Sequence, residues 1–150
     1  AAGVPEGPID LTPERALMLE AGLDQLGAVD FEKGCYVGQE VTARTHYRGL
    51  VKRRLVPLTI AGDPPAIDSD IAWHGTVIGK SKTAASLAGP ITGKHEHKDA
   101  KSICLALLKL SDLHIILDAS ANDDGLTING HAAALALADW MQPLPRPAKP

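Results

Sequence analysis

Aromatic side chains are scarce in this chain of 150 residues: Phe occurs once, Trp twice and Tyr twice, 3 % in all. A core must therefore rest on Leu, Ile, Val and Ala. The rings needed for a base-stacking platform are too few. An excess of positive charge is also lacking. The formal net charge is -3, whereas a general nucleic-acid binder is strongly basic, so direct nucleic-acid binding is not expected. A local basic patch at Arg44, Arg48, Lys52, Arg53 and Arg54 is compatible with that balance. Cysteine is limited to Cys35 and Cys104; one pair is no disulfide framework, and both read as reduced thiols in a cytoplasmic setting. No apolar run approaches the roughly 18 residues of a membrane span, so no membrane partner is expected. The opening residues carry no charged-then-apolar leader, and the missing initiator Met carries the expectation of a fragment or a processed chain. There is no Walker loop, no dinucleotide fingerprint and no convincing pair of catalytic acids.

What is present is a hydrophobic content of 45 % and a charged content of 22 %, normal for a globular protein. Gly3, Pro5, Gly7 and Pro8 mark residues 1–11 as a loop. Thr12, Pro13 and Glu14 form a helix-start signal, and Ala16, Leu19, Leu23 and Leu26 follow at helical spacing up to a stop at Gly27. Glu20 and Asp24 would share an exposed face of that helix, and the plain reading is that both are solvated. Further strands are expected over Leu50–Ile60, Thr76–Gly79, Ile103–Leu110, His114–Leu117 and Leu126–Ile128. Asn129-Gly130 is the strongest short hairpin signal, and it favours a returning strand from His131 over the helix that the alanines there would prefer. Lys52, Arg53 and Arg54 occupy successive strand positions. One face of that strand should therefore be wet, or the strand should be an edge or bulged. Short strands separated by turns imply a compact antiparallel barrel or sandwich.

The most informative stretch is Lys33-Gly34-Cys35-Tyr36-Val37-Gly38-Gln39-Glu40, with Arg44-Thr45-His46-Tyr47-Arg48-Gly49 soon after it. Gly34 and Gly38 permit backbone angles closed to other residues, and Val37–Ala43 suits a short helix. Cys35 offers a nucleophile, a soft metal ligand or an oxidation sensor; the plainer alternative is a small core thiol. Lys33 and the arginines would lower its pKa if they converge on it. Gln39 and Glu40 can hydrogen-bond a pterin-like ring, or Glu40 can simply hold Arg44 one helical turn on. Arg44 and Arg48 suit the carboxylates of a glutamate tail, or plain solvation. Tyr36 can stack or pack. Cys104, in an apolar alternation, reads as core. His95 and His97 flank Glu96, but two further ligands are not evident, so no metal site is assigned.

This run resembles the signature of the YgfZ-type folate-binding proteins, relatives of the glycine-cleavage aminomethyltransferase (GcvT). Ala2–Gly7, Leu26–Phe31 and Lys33–Glu40 occur in the order expected of them, and Arg44, Arg48 and Gly49 match the segment after the family signature. The likeness is strong over residues 1–58 and thins to a weak pattern beyond. Met18-Leu19 departs from a common Pro-His, and residues 91–100 match nothing expected. Cys35 itself favours the YgfZ side over the aminomethyltransferase.

The resemblance implies an α+β, mainly β fold, with one N-terminal helix and the signature loop followed by an antiparallel C-terminal β-barrel. It divides the chain into residues 1–48, the end of a central folate-binding region; 49–142, the barrel; and 143–150, a Pro-rich tail. It implies a tetrahydrofolate-binding accessory protein for iron–sulfur cluster assembly or repair, supporting cluster enzymes such as tRNA-modifying ones. Cys35 is then the catalytic candidate, and Lys33, Tyr36, Gln39, Glu40, Arg44 and Arg48 are the folate contacts. Expected partners are folate and iron–sulfur assembly proteins or client enzymes, with folate held only together with a longer parent protein. The alternatives are a tetrahydrofolate-dependent aminomethyltransferase and a purely structural docking barrel.

Overall fold

The computed structural model describes residues 3–87, 100–119 and 123–145. The His95-Glu96-His97 segment and residues 146–150 of the Pro-rich tail lie outside the described residues. An arm of consecutive turns and loops, residues 3–38, leads into helix α1 (Gln39–Tyr47). Strands β1 (Arg53–Ile60), β2 (Asp70–Trp73), β3 (Thr76–Ser86) and β4 (Ser102–Lys109) follow, then helix α2 (Leu110–Asp118), β5 (Leu126–Ile128) and β6 (His131–Leu135). A 3-10 turn, Asp139–Met141, comes after the last strand. The strands close an antiparallel barrel in the order β1-β4-β3-β2-β5-β6, as the mainly β expectation required.

Alternation fills the barrel. Val56, Leu58 and Ile60 of β1 join Ile71, Cys104, Ala106, Leu108, Leu126, Ile128 and Leu135 in one cluster of buried residues. Burial pushes the Cys104 thiol up to about 12, so it is an inert core group, as the apolar alternation implied. Two tight hairpins set the register. Asn129 and Gly130 both have positive φ (50° and 78°) between Ile128 and His131. His74 and Gly75 (45° and 80°) do the same between Trp73 and Thr76. This is the twist that two-residue hairpins need. The second turn and strand β2 were not anticipated, because His-Gly is a weaker signal than Asn-Gly. At Gly79 two strands come very close: a Cβ there would lie 2.5 Å from the Leu107 carbonyl oxygen.

Three expectations are corrected. The helix expected from Thr12 does not form; residues 13–15 and 18–27 are turns, and the helix of the N-terminal part is α1. The carbonyls that would extend a helix are recruited by strand β1 instead. Leu55 N–H donates to Glu20 O (2.8 Å), and the Arg54 guanidinium donates to Leu19 O. The 114–117 strand is helix α2. Leu110 and Leu113 are buried, and Ile116 and Leu117 pack on the same cluster. That is helical spacing; the short apolar run Ile115-Ile116-Leu117, with two β-branched residues, is what passes for a buried strand.

The third correction concerns β1, which has neither a wet face nor an edge position. It lies between β4 and β6. Only Arg53 is exposed along it, and Arg53 pairs in a bidentate fashion with Glu20 (3.1 and 3.2 Å). Arg54 has no exposed surface and reaches Leu19 O, Asp24 Oδ1 (3.3 Å) and Gln25 Oε1. Desolvation pulls its pKa below the ordinary arginine value, with the Asp24 carboxylate opposing that shift. Glu20 and Asp24 are thus the partners of two strand arginines and not solvated helix residues.

The two arginines should differ sharply on substitution. Arg54→Met strands buried acceptors and should cost about 3 kcal/mol; Arg53→Ala breaks a half-exposed pair and should cost less than about 1 kcal/mol. Urea unfolding of both variants checks this. Gly79→Ala should cost about 1–3 kcal/mol by overpacking, whereas Gly34→Ala, which meets nothing within 4 Å, should stay within about 0.5 kcal/mol. Their thermal midpoints decide between crowding and a general intolerance of substitution.

Candidate functional site

The signature loop is shaped by the Asp30 carboxylate and by the ring contacts of Phe31. Asp30 Oδ1 accepts the N–H groups of Glu32 (2.9 Å) and Lys33 (3.2 Å), which turns the chain sharply after the arm. Phe31 packs against the barrel cluster and stacks on His46 of α1, with ring centroids 3.8 Å apart. Gly38 caps α1 from the left-handed region (φ 90°, ψ -5°), which a side chain would resist. Gln39 N–H donates to Tyr36 O (3.2 Å). Helix α1 carries Glu40 in its first turn and Arg44 and His46 in its last, the favourable sense for its dipole.

These features display the signature outward. Lys33, Cys35, Tyr36, Glu40, Arg44 and Arg48 are exposed, and Gln39 is half-buried. Val37 is fully exposed, and α1 buries no side chain. The structure brings the seven candidate residues onto one continuous loop–helix stretch, but not into a pocket. Among the described residues no hydrogen bond or ion pair links their side chains. The alternative that Glu40 holds Arg44 is therefore not realised.

The volume lies elsewhere. A cleft of about 430 Å³ runs between the arm and the outer barrel wall, lined among others by Arg15, Glu20, Arg53, Asp68 and Lys82. Beside α1 there is only a groove of about 50 Å³. The signature residues of this chain can thus form one wall for a pterin-sized ligand, but they do not enclose one. An exposed thiol on a turn-bounded loop can act as a nucleophile or soft ligand toward a second body brought to it. Among the described residues no cluster of three or more His, Cys, Asp or Glu side chains could hold a metal ion.

Sequence reasoning missed Asp10, which is buried. Its carboxylate accepts Glu6 N–H (2.9 Å) and Thr83 N–H (3.0 Å), fastening the arm to β3. An Asp among turn residues was the available signal. Reading Glu20 and Asp24 as solvated also concealed the clasp that places the signature loop.

No family model matches the chain. Individual proteins do. A Mycosarcoma maydis protein named as a mitochondrial iron–sulfur cluster assembly factor IBA57 homolog is 38 % identical over 138 residues, covering 81 % of this chain and 34 % of that protein. A Coccidioides immitis protein of the same name is 48 % identical over 124 residues, covering 74 % of this chain and 29 % of the relative. The mouse protein, mitochondrial IBA57, is 52 % identical over 64 residues, covering 43 % of this chain and 18 % of its own length. The chain therefore spans about a third or less of these relatives. An exposed Cys35 in the eight-residue signature, a six-stranded barrel behind it and these identities agree. Over part of those proteins' length, this chain is homologous to IBA57, the eukaryotic iron–sulfur cluster assembly factor of the YgfZ family.

Proposed function

We propose that this chain is the signature-bearing portion of an iron–sulfur cluster assembly factor, in which Cys35 is presented to a client or donor protein. The observation that carries the reading is the 48 % identity over 124 residues to a protein named for that role. The exposure of Cys35 supports it: a thiol that must meet a second macromolecule belongs on the surface, as Cys35 does and Cys104 does not. Lys33 and Arg44 bring positive charge to the same stretch, which suits an anionic partner such as a thiolate-ligated cluster.

Tetrahydrofolate enters as a ligand of the longer protein. Gln39 and Glu40 supply groups that match the edge of a pterin, and Arg44 and Arg48 match a glutamate tail. On this chain they stand on an open face, so the rest of the protein has to close the site. Bound there, the folate would supply a one-carbon carrier beside the thiol. The signature cysteine and the named relatives favour an accessory factor over an aminomethyltransferase. The relatives' names carry the word mitochondrial; the cytoplasm, inferred from the sequence, and the mitochondrial matrix would both keep Cys35 reduced.

Two experiments test this. In the full-length protein, Cys35→Ser should abolish support of iron–sulfur enzymes in a strain lacking the factor, with an unchanged melting temperature; full support by the variant would sink the role of the thiol. Calorimetric titration with tetrahydrofolate should show binding to the full-length protein and weak or no binding to the 150-residue chain. Binding by neither would remove folate from the proposal and leave Cys35 as a thiol or cluster contact.

A further inference from the structure

Between Asp30 and Gly49 the chain leaves the barrel and comes back. Phe31, near the start, packs against the core cluster, and Val51, after the return, belongs to it. The two ends of this excursion meet through rings. Phe31 and His46 stack with centroids 3.8 Å apart and planes 18° from parallel. Tyr47 stands edge-on to both, 6.1 Å from Phe31 and 5.1 Å from His46. Residues 31–46 are therefore a loop closed at its neck by a ring contact. Lys33, Cys35, Tyr36, Gln39, Glu40 and Arg44 all fall between the two rings along the chain.

Little else holds that loop to the rest of the molecule. Asp30 turns its entry, and the N–H groups of Gly49 and Leu50 donate to His46 O and Thr45 O at its exit. Helix α1 has nine residues and buries no side chain. A helix of that length does not hold in water without a tertiary contact. On its other side α1 faces the arm across a groove of about 50 Å³. Among the described residues no hydrogen bond or ion pair crosses that groove. An aromatic pair contributes beyond the area it buries, and this one joins an exposed helix to a ring seated on the core.

We propose that Phe31 and His46 are positioning residues for the signature: their stacked rings close the neck that fixes Cys35 and helix α1 against the barrel. The rest of the protein closes the ligand site from outside, and the neck holds the wall that this chain supplies. With the neck closed, the thiol and the polar groups of α1 keep one arrangement. With it open, any partner or ligand that engages the loop has to order it again, at an entropic cost that weakens binding. His46 acts here as a ring and not through its nitrogens. The functional consequence rests on the cluster-assembly reading; the structural role of the neck does not.

The test compares His46→Gln and Phe31→Leu, which remove the stack, with the two combined and with His46→Phe, which keeps a ring without the imidazole nitrogens. Glutamine is a better helix former than histidine, so unravelling of α1 in His46→Gln reports the lost ring and not propensity. In the 150-residue chain, the Cα chemical shifts of residues 39–47 should move toward coil values in both single variants. Exchange protection there should fall roughly threefold to tenfold. The double variant should add nothing, because each change removes the same contact, and His46→Phe should match the parent chain. The amide shifts of β1–β6 should stay in place throughout. In the full-length protein, His46→Gln should lower support of iron–sulfur enzymes by a similar factor, and His46→Phe should restore it.

Helical shifts of α1 that persist without the stack would overturn the proposal and assign the hold on α1 to the arm across the groove. Full support by His46→Gln in the full-length protein would overturn it as well. So would loss of support in His46→Phe with α1 intact, since the nitrogens and not the ring would then be needed. Cys35→Ser measured alongside separates this proposal from the cluster-assembly reading. Full support there with a loss in His46→Gln removes the thiol and leaves the neck; the reverse removes the neck and leaves the thiol.

Discussion

A guanidinium with no exposed surface has to find its partners inside the protein, and Arg54 finds all of them on one stretch of the arm. Leu19 O, Asp24 and Gln25 converge on it, while its neighbour Arg53 takes Glu20. Magnitudes explain why this clasp overrides a sound helix signal in residues 12–27. Helix propensities differ by tenths of a kcal/mol per residue. Stranding a buried charge costs several. The arm therefore folds around the arginine, and the positions of everything after it are set by that. Gly22 passes close beneath Trp140 and Arg54, the chain leaves at Ala28, and Asp30 turns it into the signature loop.

The division of labour is clear along the chain. The barrel supplies rigidity through its closed ladder and interior aliphatics. The loop and α1 supply display. Phe31 is the hinge between the two, packed on the core at one side and stacked on His46 at the other. Such an arrangement gives the Cys35 thiol a fixed address without burying it, in contrast to an enclosed pocket, where burial shifts pKa values and excludes water.

Much of the fold was legible because barrel strands leave local traces. Leu126–Ile128 alternates and meets Asn129-Gly130, and the apolar run to Leu110 is dense in aliphatics; both strands appear where those signals place them. The failures share one physical cause, which is that long-range partners are invisible in a single chain. Nothing near Glu20 announces Arg53, which lies 33 residues away. Nothing beside Lys52-Arg53-Arg54 announces that the arm will cover the strand. Helix α2 was misread for a local reason, since the short apolar run Ile115-Ile116-Leu117, with two β-branched residues, reads as readily as a buried strand. At the candidate site, the signature named candidates, and the structure shows that they share an open surface.

Strand β6 pairs with β1 only at Leu58, Thr59 and Ile60, and Ala136 N–H adds one bond to Pro57 O. Below that, among the described residues, the same flank of β1 is vacant of strand. The arm fills it with Glu20 O at Leu55 N–H. Without the arm, the closed barrel would have a split stave presenting free backbone donors and acceptors. Such a gap invites pairing with a strand from another molecule. The arm thus guards against aggregation as well as placing the signature, and the arginine clasp is what keeps that guard in place.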